Sequence, residues 1–328
     1  MRKGRLADDR QPIPAKVRPI SGGSTPEAEL AAVPGVAWPA RAAPSESPLA
    51  QGLRRFRRST TALVGVAIVL VLLLVALFAD VLAPRSPIAS NQTRTFERPS
   101  WEYPLGTDQL GRDMLSRIIH GSRISLAVGV SSVLLALFVG VPLGLIAGYH
   151  GGRIDSLVMR AMDLILAFPI YLLAIILMVI FTPTAGLIGT MKVTGAIAIV
   201  RIPIYARLVR GSVLSVKEKE YVEACRALGV RDMSIIFRHI LPNCLAPIIV
   251  TTTLGIATSI IVEATLSFLG LGTQPPTPSW GWDLKANISF IQANAWLTLF
   301  PGLAIFVTVL GFNLFGDGLR DALDPRLK

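Results

Sequence analysis

Few side chains in this 328-residue sequence stand where they can make or break bonds. His120, His150 and His239 are scattered and match no H-E-x-x-H or other metal-ligand spacing. Cys225 and Cys244 form no C-x-x-C pair. There is no G-x-x-x-x-G-K-[ST] phosphate loop, and no Gly-Lys-Ser/Thr triplet at all. A G-x-S-x-G nucleophile elbow is missing as well. What remains are charges in apolar surroundings, at Asp163, Arg201 and Glu263. Ionisable groups inside a membrane are costly and usually face a partner or a wet cavity. Glu263 suits helix packing or gating as well as substrate contact. Arg201 suits attraction of a carboxylate in a pathway, or pairing with Asp163 or Glu263.

The elements that hold these charges are apolar. Hydrophobic residues make up 52% of the chain and charged residues 16%, against about 25% in soluble domains. That balance points to a membrane and excludes a disulfide-stapled secreted scaffold. The net charge of +11 is accounted for by basic loops beside apolar spans and does not require a nucleic-acid partner. Uncharged runs place spans near residues 59–79, 124–152, 164–191, 240–282 (interrupted by Glu263) and 286–316. A sixth is expected near 193–212, although it contains Arg201, Pro203 and Arg207. The fold class expected is therefore an all-α membrane protein with six transmembrane helices.

Residues 1–58 differ from the rest. They carry eight of the 23 prolines and 11 Lys/Arg, show no apolar periodicity, and read as a disordered cytoplasmic tail. Residues 59–123 read as the first span with an external segment, and 124–328 as the core with five spans. The cluster Arg54-Arg55-Phe56-Arg57-Arg58 before the first span sets the N-terminus in the cytoplasm. With the tail set aside, this topology leaves 12 Lys/Arg on cytoplasmic segments and 8 outside, and puts the C-terminus inside. In the external segment, Trp101 and Tyr103 suit an interfacial anchor, the external mouth or a partner contact. Trp280 and Trp282, after the proline-rich 275–278 loop, invite the same readings. Gly140, Gly144 and Gly148, four apart, read as a close-packing stripe.

The loop at 217–242, KEKEYVEACRALGVRDMSIIFRHILP, carries the most information. Glu218, Glu220 and Glu223 complement the start of a short helix, and Tyr221, Ala224, Cys225 and Leu228 share a face. Gly229 suits a helix stop, and Asp232 suits the cap of a second helix running to Leu241-Pro242. Such a helix either lies in another protein's groove or rests at the membrane interface.

Glu223-Ala224-Cys225, then Gly229, then Ile240-Leu241-Pro242 resemble the EAA loop of permease subunits in binding-protein-dependent ABC importers, with Cys225 where the family usually has alanine. The segments LGTDQLGRD at 105–113, GYHGG at 148–152, EATLSFLGLG at 263–272, PPTPSWG at 275–281 and GDGLRDALDPR at 316–326 are similar to the C-type permease of dipeptide and oligopeptide importers. Arg201-Ile202-Pro203-Ile204 departs from that family's usual Trp-Pro-Gly. The resemblance implies a six-helix type I importer permease that forms half of the pathway for peptides across the cytoplasmic (inner) membrane. It implies that Glu220, Glu223, Ala224, Cys225, Leu228, Gly229, Leu241 and Pro242 form a coupling helix and its frame, docked on an ATPase. It also implies a homologous second permease, two cytoplasmic ABC ATPase subunits and an external substrate-binding protein as partners. ATP and Mg would sit on the partner subunits, with no cofactor in this chain. A self-sufficient secondary transporter or a membrane enzyme would be separated from this reading by co-purification with a phosphate-loop ATPase.

Overall fold

A computed structural model describes residues 54–323 of the chain. The tail expected over 1–58 lies outside the described residues as far as 53. Residues 54–58, assigned to it from composition, are helical instead. Phe56 meets Phe315 edge-on with ring centroids 6.1 Å apart, and this contact pulls the segment onto the bundle.

Helix α1 (Thr60–Leu77) starts at Ser59, whose hydroxyl accepts the Ala62 N–H at 3.3 Å. A single turn, α2 (Ala79–Leu82), follows. After the irregular segment that leads to Asp113 comes α3 (Met114–His150). Its cap is strong: the Asp113 carboxylate accepts the Ser116 N–H at 2.9 Å and its hydroxyl at 2.5 Å. Next are α4 (Gly152–Leu166), α5 (Ile170–Phe181) and α6 (Gly186–Lys217). A short helix α7 (Glu220–Ala227) and one turn, α8 (Asp232–Ile235), lead through a π-helical stretch, Ile236–Ile240, into α9 (Leu241–Leu269). The described chain closes with α10 (Trp280–Asn287) and α11 (Trp296–Leu323).

Among the described residues, five helical runs are long and apolar enough to cross a membrane: α1, α3, α6, Asp232–Leu269 and α11. The pair α4 and α5 makes a sixth if its halves, bent by 86°, count as one span. The run expected at 164–191 is therefore split, with α4 starting twelve residues earlier at Gly152. Pro169 cannot continue the ladder and forces Phe168 out of helical geometry, so the chain turns there. The expected span at 193–212 is instead the middle of a 32-residue helix that keeps Pro203 in its interior. The uncharged run at 286–316 does not start a span at 286. It begins in α10 and breaks around polar Gln292 and Asn294 before α11.

Helix α3 is the spine, and α6 packs along it. The glycine stripe is what permits this: a Cβ on Gly144 would lie 2.5 Å from the Ala206 carbonyl oxygen, and one on Gly148 would lie 2.8 Å from Val213 Cβ. Packing is the role expected of these small residues. One core joins α3, α5, α6 and α9 through Val128, Met178, Ile197 and Leu266. A second joins α1, α3, α9, α10 and α11 through Val69, Leu126, Ile260, Trp280 and Phe312.

Two aromatic expectations are corrected. Tyr103 is buried beneath Arg85, whose guanidinium lies 4.1 Å from the ring centroid, so only Trp101 is free to act at a surface. Trp280 is buried too, donating its ring N–H to the Ile118 carbonyl at 2.9 Å.

Candidate functional site

The loop between α6 and α9 is a small helix standing on an apolar base. Only Val222 of α7 is fully buried. It enters a cluster made by Tyr149, Val209, Val213, Val216, Ile235, Ile236, Ile240 and Cys244, drawn from α3, α6, α8, the π-helical stretch and α9. Burying one valine contributes about 1.5–3 kcal/mol, enough to seat a helix of two turns. Cys225 and Leu241 also turn inward onto this cluster. Glu220, Glu223, Ala224, Leu228, Gly229 and Pro242 face outward. Leu228 is 82% exposed and Tyr221 40%. Tyr221, Ala224 and Leu228, at i, i+3 and i+7, make one exposed apolar stripe.

The loop is held rigidly. The Val230 N–H reaches the Cys225 carbonyl at 3.1 Å, and the Gly229 N–H reaches the Arg226 carbonyl at 2.9 Å. Together these bonds are a Schellman stop, with Val230 and Cys225 packed on the same cluster. Gly229 takes φ +72°, as that stop requires. Nothing lies within 4 Å of where its Cβ would be, so the space beside it is open. Asp232 does not cap α8. Its carboxylate accepts the Tyr149 hydroxyl at 2.5 Å, and the Arg226 guanidinium lies 5.1 Å from the centre of the Tyr149 ring. Lys217 Nζ donates to the Gly148 carbonyl at 3.2 Å. Helix α7 therefore meets the end of α3 through Arg226 over the Tyr149 ring and through the apolar cluster, with hydrogen bonds from the flanking Lys217 and Asp232 beside them.

The three intramembrane charges stand apart from one another. Glu263 is fully buried in α9. One carboxylate oxygen accepts Ser125 Oγ of α3 at 3.0 Å, and the other accepts Ser267 Oγ at 2.8 Å and Ser279 Oγ at 3.1 Å. It ties α3 and α9 to the start of α10, with both carboxylate oxygens hydrogen-bonded within the chain. Asp163 is half exposed on α4 and pairs with Arg207 of α6. Arg201 therefore pairs with neither, contrary to one of the sequence expectations. It is 9% exposed and donates to the Thr258 hydroxyl of α9.

Sequence reasoning missed two ion pairs that brace the bundle. Arg117 of α3 donates to Asp283 of α10 from Nε at 2.7 Å and from Nη2 at 2.5 Å, with both side chains 1% exposed. Their 166-residue separation leaves no spacing signal. Arg210 of α6 grips Asp155 of α4 at 2.5 and 2.6 Å. In the segment between α2 and α3, Arg94 lies 2.5 Å from Glu102 and holds its carboxyl below the usual carboxylate range.

Three comparisons bear on this arrangement. Residues 140–328 match the family described as binding-protein-dependent transport system inner membrane component. Residues 47–99 match the N-terminal TM domain of oligopeptide transport permease C. The dipeptide transport system permease protein DppC of Alkalihalophilus pseudofirmus is 47% identical over 282 residues, which cover 86% of this chain and 91% of that protein. The glutathione transport system permease protein GsiD of Pectobacterium atrosepticum is 47% identical over 278 residues, covering 84% of this chain and 90% of that protein. The inward-facing MetNI methionine ABC transporter shares the fold, with a TM-score of 0.53 at 19% identity over 64% of this chain and 98% of that chain.

Proposed function

This chain belongs to the family of binding-protein-dependent transport system inner membrane components, and on that premise we propose that it is the permease subunit of an ATP-driven importer of dipeptides or oligopeptides. It supplies half of the translocation pathway and one docking helix for an ATPase subunit. The complex would add a homologous second permease, two cytoplasmic ABC ATPase subunits that bind ATP and Mg, and an external substrate-binding protein. The chain sits in the cytoplasmic membrane with both termini inside, which puts α7 on the ATPase side. The peptide substrate class rests on relatives whose names specify dipeptide and glutathione transport.

The observation that carries the reading is the exposed stripe of Tyr221, Ala224 and Leu228 on a helix seated by Val222 and stopped at Gly229. A nucleotide-driven movement in a soluble subunit needs a stiff element to reach the bundle. Helix α7 is packed through Val222 and Cys225 against residues of α3, α6 and α9, so a push on it bears on three spans at once. An interfacial helix resting on lipid would need no such base. The test is co-purification of the ATPase subunits with the membrane-embedded chain, wild type against Leu228→Asp. The charge at an 82%-exposed position should spare the chain's abundance and strip the ATPase subunits away. Retention of the ATPase subunits by Leu228→Asp would overturn the assignment of α7 as the docking helix.

A further inference from the structure

Arg201 stands at the middle of α6, 15 residues from Gly186 and 16 from Lys217. At 1.5 Å per residue each half of the helix is about 23 Å long, so Arg201 lies midway along a helix long and apolar enough to cross a membrane. It is nine-tenths buried there, yet no carboxylate among the described residues answers it. Asp163 is taken by Arg207, and Glu263 is taken by three serines. Thr258 receives Nη2, while Nε has no partner. A guanidinium in a low-dielectric setting with spare donors demands an anion.

The space beside it has a defined size and chemistry. Arg201 and Thr258 line a cavity of ≈ 240 Å³ with Tyr171, Ile170, Ile197 and Val200. Sites that enclose a whole drug-sized ligand run to about 300–1,000 Å³, so this one takes the end of a molecule. Its α5 wall, Ile170 and Tyr171, is 42% and 48% exposed, so the cavity lies at the flank of the subunit and not in a sealed core. An opening on the flank is what half of a shared pathway requires.

We propose that Arg201, Thr258 and this apolar lining form a station for the carboxylate end of the transported substrate. The ligand class is a small amphipathic molecule with a free carboxylate, such as the C-terminus of a short peptide. The inference rests on the importer reading above and adds to it a residue that selects cargo inside the membrane. One cation and one hydroxyl grip the carboxylate, and the aliphatic walls accept the adjoining side chain. The grip comes from one flank only, so the substrate can leave when the pathway reopens.

The test uses the complete complex in proteoliposomes with saturating binding protein. ATP-driven uptake of a dipeptide and of its C-terminal amide is measured for wild type, Arg201→Met and Arg201→Lys. The acid-to-amide ratio in each variant is divided by the wild-type ratio, which cancels the binding protein's own preference. A charge-assisted bond lost on one substrate only should shrink the ratio about tenfold or more in Arg201→Met, and less in Arg201→Lys. An unchanged ratio, with both substrates falling together or neither falling, overturns the station and leaves Arg201 a structural residue. Failure of both variants to assemble would make Arg201 a residue of folding or assembly, which overturns it too. A wild-type complex that imports neither molecule removes the importer reading itself, an outcome distinct from any change in the ratio.

Discussion

Replacing Gly229 by alanine and by leucine separates the folding of the loop between α6 and α9 from the docking proposed for it. Both variants place a Cβ at φ +72°, which costs about 1–2 kcal/mol for any ordinary residue. Nothing lies within 4 Å of that Cβ, so the side chain of either variant starts into open space. Within the subunit the two variants should therefore be nearly equal, with the loop still seated by Val222 at about 1.5–3 kcal/mol. They part company when a partner packs at the site. Overfilling a well-packed contact costs about 1–3 kcal/mol, which corresponds to roughly 5–150-fold weaker association. The assay is titration of the ATPase subunits onto the chain in nanodiscs, with unfolding of the chain alone as the control. The expected result is equal stability for the two variants and weaker ATPase binding for leucine within that range. Equal ATPase affinity for Gly229→Ala and Gly229→Leu would refute the argument that the open space beside Gly229 is a partner's seat.

Further outcomes follow from the same contacts. Val222→Asp puts an unpaired charge into the cluster beneath α7 and should abolish ATPase attachment while the bundle persists, as read by co-purification and detergent-resistant folding. Arg117→Met should cost about 3–5 kcal/mol, because it strands Asp283 at 1% exposure. Arg117→Met combined with Asp283→Leu should recover most of that loss, measured as thermal stability of the purified chain. Gly144→Leu should block the approach of α3 to α6, since even its Cβ would lie 2.5 Å from the Ala206 carbonyl oxygen. The readout is membrane abundance, expected to fall well below that of Gly195→Leu, whose Cβ direction is open.

The helix and turn of the loop between α6 and α9 were legible because their signals are local. Acidic residues at a helix start, a glycine at its stop and a proline after re-entry each act within a few residues, and α7 formed where they placed it. The glycine stripe was equally local, since Gly140, Gly144 and Gly148 mark one helix face wherever that helix packs. Long-range bonds were not legible. The Arg117–Asp283 pair and the serines from α3 and the α10 cap that meet Glu263 join residues brought together only by the fold. Ser267, four residues from Glu263 on the same helix, was the one partner that spacing offered. The extent of α6 was hidden for a different reason: Arg201, Pro203 and Arg207 lower the local hydropathy, while packing against the α3 glycines keeps the helix continuous. Asp232 was misread as a cap because a hydroxyl from another helix, Tyr149, competes for it.

The central claim is that this chain moves peptides only as the membrane half of an ATP-driven machine. It is tested most directly by radiolabelled dipeptide uptake into proteoliposomes that hold the complete complex, with ATP or a proton gradient supplied in turn. The account predicts uptake that requires ATP, the binding protein and an intact α7, and that ignores the gradient. Uptake driven by the gradient without ATP, or undiminished when the ATPase subunits are omitted, would contradict it.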